Sequence, residues 1–116
     1  MRDLFYREMQ ENADMIAPAF SSSDVLENDR KGLMSGILTI EAGEPLEGKP
    51  ERVAEFKKDG VRMITLTWNF ENEIGYPAVG GEKKGLKPFG FELVRAMDAA
   101  GVREPGGGRH LPRARV

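Results

Sequence analysis

Three polar residues stand where apolar runs end, and such placements are where chemistry usually starts. Glu41 follows the run Leu33–Ile40 directly, and Trp68-Asn69 follow Val61–Thr67. A buried parallel strand delivers polar groups to the end of a sheet in this way. Read by itself, Glu41 is a carboxylate in a loop after a strand. The Trp68 indole donates one N–H and accepts nothing, so it serves as a pocket wall or as a cap on the core. Glu71, Asn72 and Glu73 read as a solvated loop face. His110 is the single histidine and has no ligand-spaced partner. Cysteine is absent, which rules out disulfides and thiolate metal sites and fits a reducing compartment.

The elements that must position these groups follow from pattern. Residues 3–17 read as a helix with Phe5, Met9 and Ile16 near one face, ended by Pro18. Asp24 and Glu27 have capping-box spacing, which predicts a short helix over about 24–30. Leu33–Ile40 is the first strand, broken by Glu41-Ala42-Gly43-Glu44-Pro45. A helix over 50–59 buries Val53 and Phe56 and stops at Gly60. Val61–Thr67 is the second strand. Residues 68–87 form a loop with five glycines or prolines. Pro88 opens a helix over 88–100 with Phe89, Leu93, Met97 and Ala100 on one stripe, and Gly101 ends it. Alternating strands and helices argue for an α/β fold with a parallel sheet.

Residues 1–102 have a net charge of −5. Residues 103–116 hold four Arg and one Glu, lack periodicity and are Gly- and Pro-rich, so an unstructured tail is expected there. Gly106-Gly107-Gly108 follows no strand and is no phosphate loop. The net charge of −2 over 116 residues implies neither a nucleic-acid nor an anionic-membrane partner. No apolar run approaches the roughly 18–20 residues needed to span a bilayer, and the N-terminus lacks a signal peptide's apolar core. Cytoplasm is the default location.

Four short motifs in order resemble the membrane (renal-type) dipeptidase family: Ile40-Glu41-Ala42-Gly43, Gly60-Val61-Arg62, Ile64-Thr65-Leu66-Thr67-Trp68-Asn69 and Gly85-Leu86-Lys87-Pro88-Phe89-Gly90. The resemblance covers residues from about 3 to 102, roughly a third of a complete member. It implies a section of a TIM-like (β/α)8 barrel, with about two parallel strands and three to four helices. It also implies a zinc-dependent peptidase that hydrolyses dipeptides. Glu41 stands where the family's glutamate bridges two zinc ions, although Ala42 replaces the first glycine of that motif. Trp68 and Asn69 stand on the substrate side. The family's His-x-Asp motif and its later zinc-binding histidines have no counterpart here. The family's following strand and its Asp-x-Ser-His pattern are replaced by the Arg/Gly/Pro-rich tail, as translation in a shifted frame would produce. Zinc is therefore expected in the complete enzyme, with this chain inactive by itself.

The alternative expectation is a non-catalytic α/β module. Two strands leave their outer edges unpaired. Such a piece is expected to be marginally stable and to associate, with itself or a partner, through those edges.

Overall fold

Asn12 ends the first helix well before the apolar pattern does. The computed structural model describes residues 1–77 and 84–105. Helix α1 spans Arg2–Glu11. Asn12 leaves helical geometry at φ −113°. Its side-chain amide donates to Glu8 O at 2.9 Å, and its carbonyl accepts from Met15 N (2.9 Å) and Ile16 N (3.0 Å). Asparagine offers the backbone these local alternatives to a continued helix. The chain then extends as strand β1 (Ile16–Pro18). The helix expected over 3–17 is thus too long, and Ile16 belongs to a strand rather than a helical stripe.

Helix α2 (Ser22–Arg30) is capped at Ser21, three residues earlier than the Asp24/Glu27 spacing suggests. Ser21 Oγ accepts from Asp24 N at 3.1 Å, and Asp24 Oδ2 accepts from Phe20 N at 2.9 Å. Such caps contribute about 1 kcal/mol. Glu27 instead pairs with Arg30 at 3.1 Å.

The run Leu33–Ile40 is divided at Ile37 into strands β2 (Met34–Gly36) and β3 (Leu38–Ile40). Strand β2 pairs in parallel with β1, Ile16 opposite Met34 and Pro18 opposite Gly36. Strand β3 pairs in parallel with β4 (Val61–Ile64), Leu38 opposite Val61 and Ile40 opposite Ile64. The first half of the run thus pairs with one neighbour and the second half with the other. Staggered pairing of this kind is what strand tilt in a barrel produces. Where the sequence predicts two strands, the described residues hold four short ones in two parallel pairs.

Each parallel partner is reached through a helix, as parallel pairing requires. Helix α2 joins β1 to β2, and α3 (Arg52–Lys58) joins β3 to β4. Helix α4 (Pro88–Ala100) leads to Arg103, which makes a parallel bridge with Met63. Arg103 N donates to Arg62 O at 2.8 Å, and Ile64 N donates to Arg103 O at 2.9 Å. Regular hydrogen bonding therefore runs one residue past the boundary expected after 102. The Gly106-Gly107-Gly108 segment and His110 lie outside the described residues.

The core lies between β4 and helices α3 and α4. Val53, Val61, Ile64, Leu66, Leu93, Met97 and Val102 are buried there, with Phe56 and Phe89 packed against them. Helix α4 matches the expected 88–100. Gly101 caps it at φ +71°, and Val102 N returns to Met97 O at 2.9 Å, so the chain can turn back to the sheet. Helix α1 is tied to the end of α3: Tyr6 Oη donates to Asp59 O at 2.7 Å, and the Arg2 guanidinium meets Asp59 Oδ1 at 2.6 Å.

Candidate functional site

Glu41 leaves the sheet directly after β3 and is exposed. Two anchors flank it. Ile40 O accepts from Thr65 N at 2.8 Å, which carries the β3–β4 ladder one residue beyond β4. Gly43 N donates to Leu66 O at 3.3 Å, so the chain after Glu41 stays tied to the strand beside it. Between them Ala42 adopts φ +61°, a left-handed conformation that suits glycine better than alanine. A one-turn 3-10 helix, Glu44–Leu46, follows and drives Leu46 fully into the core.

Trp68 and Asn69 leave the neighbouring strand at the same end. Trp68 is 59% exposed and Phe70 73% exposed, and Asn69 is also exposed. An indole this open does not cap the core. Because β3 and β4 are parallel and adjacent, their C-terminal ends share one rim. Glu41 and the Trp68-Asn69 pair both sit on it.

Two residues on this rim escaped the sequence reading. Asn72, expected on a solvated face, is half-buried and bonded on both sides of its carboxamide. Its Nδ2 donates to Leu66 O (2.9 Å) and Glu44 Oε1 (3.3 Å), and its Oδ1 accepts from Ile74 N (2.8 Å) and Gly75 N (3.2 Å). Ile74 is 1% exposed and packs against Gly43. Asparagine two positions before a lone large aliphatic in a polar loop was the available signal, since Asn bonds its own backbone two residues on.

Past Ile74 the loop folds back on itself. Gly75 bridges Leu86 in antiparallel fashion, and Lys87 N donates to Ile74 O at 2.8 Å just ahead of α4. Lys87 Nζ meets Glu71 Oε1 at 2.5 Å and lies 5.0 Å from the centre of the Tyr76 ring. A cavity of about 290 Å3 opens beside these contacts, lined by Glu44, Glu71, Asn72, Glu73, Ile74 and Phe89. Its lining combines the carboxylates of Glu44, Glu71 and Glu73 with the apolar side chains of Ile74 and Phe89. On the edge beyond β4, partial burial pushes the Glu104 carboxyl above its ordinary value.

The donor set does not make a zinc centre by itself. Zinc sites that catalyse use about three protein ligands. No group of three or more His, Cys, Asp or Glu side chains that could hold a metal ion occurs among the described residues. Glu41 supplies one carboxylate on an open rim.

Residues 2–103 match the membrane dipeptidase family, peptidase family M19. An uncharacterized dipeptidase of Schizosaccharomyces pombe is 35% identical over 71 residues, covering 60% of this chain and 17% of that relative. A crystal structure of an amidohydrolase from Pseudomonas aeruginosa superposes with a TM-score of 0.80 at 23% identity, over 87% of this chain and 31% of that one. The architecture is thus shared with an amidohydrolase, and the chain spans less than a third of either protein. No helix among the described residues is long and apolar enough to cross a membrane. With a match that runs from α1 to the bridge at Arg103, the chain belongs to the membrane dipeptidase family.

Proposed function

We propose that this chain is a section of a zinc-dependent dipeptidase on an incomplete (β/α)8 barrel, and that it is inactive by itself. In the complete enzyme Glu41 contributes one carboxylate to the zinc centre, and Trp68 and Asn69 border the dipeptide. The remaining metal donors come from outside the described residues. What supports this reading is the position of Glu41 after β3, beside the loop that leaves β4, within a chain that matches the family over residues 2–103. In barrels of this kind the chemistry collects at the C-terminal ends of the strands. The cysteine-free composition agrees with a cytoplasmic location.

The test has two arms. The purified chain, supplied with zinc and a simple dipeptide, gives no turnover; hydrolysis that Glu41→Gln abolishes would overturn the inactivity. A chimera with residues 38–102 exchanged into a complete dipeptidase hydrolyses the dipeptide. There Glu41→Gln lowers kcat/KM at least about a hundredfold, the scale of losing a group that acts in the transition state. Unchanged turnover in that variant would remove Glu41 from the site.

A second reading, an α/β module that associates through its strand edges, is favoured by β1. This strand pairs only with β2 among the described residues, and unpaired edges invite partners. Sedimentation of the purified chain separates the two: a stable metal-free oligomer supports association, and a monomer at all concentrations opposes it.

A further inference from the structure

Asn72 ties together three segments that meet at the rim. Through Nδ2 it reaches the carbonyl of Leu66, just beyond β4, and Glu44 in the turn after Glu41. Through Oδ1 it gathers the amides of Ile74 and Gly75, and its own N–H donates to Gly75 O at 3.1 Å. Rotating the carboxamide by half a turn would set its NH2 against two N–H donors, so the network fixes its orientation. The segment closed by these bonds, residues 66 to 72, is the one with Trp68 and Asn69 at its exposed tip.

We infer that Asn72 is a positioning residue that fastens the Trp68-Asn69 loop to the turn following Glu41. The loop is thereby ordered when the chain folds rather than when a ligand arrives. Preorganisation of this kind lowers the cost of binding without any contact to the ligand. The use of the rim for a dipeptide rests on the proposed function; the fastening does not.

Trp68 is the single tryptophan, so its fluorescence reports this loop alone. Two variants of the whole chain test the fastening. Asn72→Ala removes every side-chain bond. Asn72→Asp keeps the acceptors for Ile74 and Gly75 but loses the donor and faces Glu44 with a second carboxylate. In both, Trp68 anisotropy falls and acrylamide quenching rises while the far-UV spectrum is unchanged. In Asn72→Ala, amide exchange at Ile74 and Gly75 speeds up roughly tenfold, the size of one lost hydrogen bond.

Glu44→Gln, added to Asn72→Asp, removes the carboxylate pair and returns a donor across the Glu44 contact, though not to Leu66 O, and so restores the Trp68 signal in part at neutral pH. A role in stability alone would shift the melting transition and leave Trp68 anisotropy in the folded state unmoved. Unchanged Trp68 signals in both single variants with the fold intact overturn the inference. If the alanine variant does not fold, the aspartate pair decides: recovery on adding Glu44→Gln supports the fastening, and no recovery overturns it. None of these readouts depends on turnover, so failure of the dipeptidase reading would leave them standing.

Discussion

The Cδ1 of Ile74 occupies the space that a side chain on residue 43 would need; a Cβ built on Gly43 falls far inside van der Waals contact with it. Gly43 has φ −80°, so its backbone suits any residue, and the requirement for glycine is purely one of space. The loop after β4 is thereby plugged into the turn after Glu41. Gly43→Ala should cost about 1–3 kcal/mol, the usual penalty for an extra carbon in a packed site. Each kcal/mol lowers the melting temperature of a chain this size by about 4–8 °C. Ile74→Val removes the offending methyl, so the double variant should melt above Gly43→Ala alone. Strictly additive losses would show that the two residues do not share this contact.

Ala42 tests the same turn through its backbone. At φ +61° an L-residue pays about 1–2 kcal/mol, whereas glycine adopts this conformation freely. The flexibility that glycine adds to the unfolded chain takes back roughly 0.5–1 kcal/mol. Ala42→Gly should therefore raise the urea midpoint, by up to about 1.5 kcal/mol in stability at an unchanged m-value. A lower midpoint would mean that the turn is not strained in solution.

Helix α4 illustrates how far burial separates neighbours in sequence. Leu93 is fully buried, and Phe91, two residues earlier, is 50% exposed. Leu93→Ala should cost about 2–5 kcal/mol through lost burial and the cavity left behind. Much of the stability of a small domain lies within that range. Phe91→Ala should cost far less, because the residue is already half exposed to water. Urea titrations of the two variants give the comparison, and equal losses would contradict the packing of α4 described above.

What the sequence revealed was local. Pro88 and Gly101 bracket α4 because proline suits a helix's first turn and glycine its left-handed cap, and both signals sit beside the element they define. Glu41 was placed at a strand end because it directly follows an apolar run. Strand β1 was not legible: three residues, Ile16–Pro18, become a strand only through Met34, which is far away in the chain. The division of Leu33–Ile40 at Ile37 was hidden for the same reason, since the identity of each half's partner is a tertiary fact. Asn72 and Ile74 look like ordinary loop residues until Glu44, Leu66 and Gly43 are brought to them.

Glu104 gives the chain a pH dependence whose sign is set by burial. Partial loss of water raises its folded-state pKa above the value it has in the unfolded chain. The folded state then holds the proton more tightly, and this preference is fully present at pH values below the ordinary carboxylate range. Stability from this group falls as pH rises from the ordinary glutamate value through the raised one, and stays level above that. Glu104→Gln, which is neutral at every pH, removes the fall. Thermal melts of the two proteins should diverge as pH rises through this window, with the glutamine variant the more stable at neutral pH. Below the ordinary carboxylate range the gap should be smallest. The residue follows directly on the bridge between Arg103 and Met63, so a parallel course of the two curves would mean that this end of the chain leaves Glu104 in water.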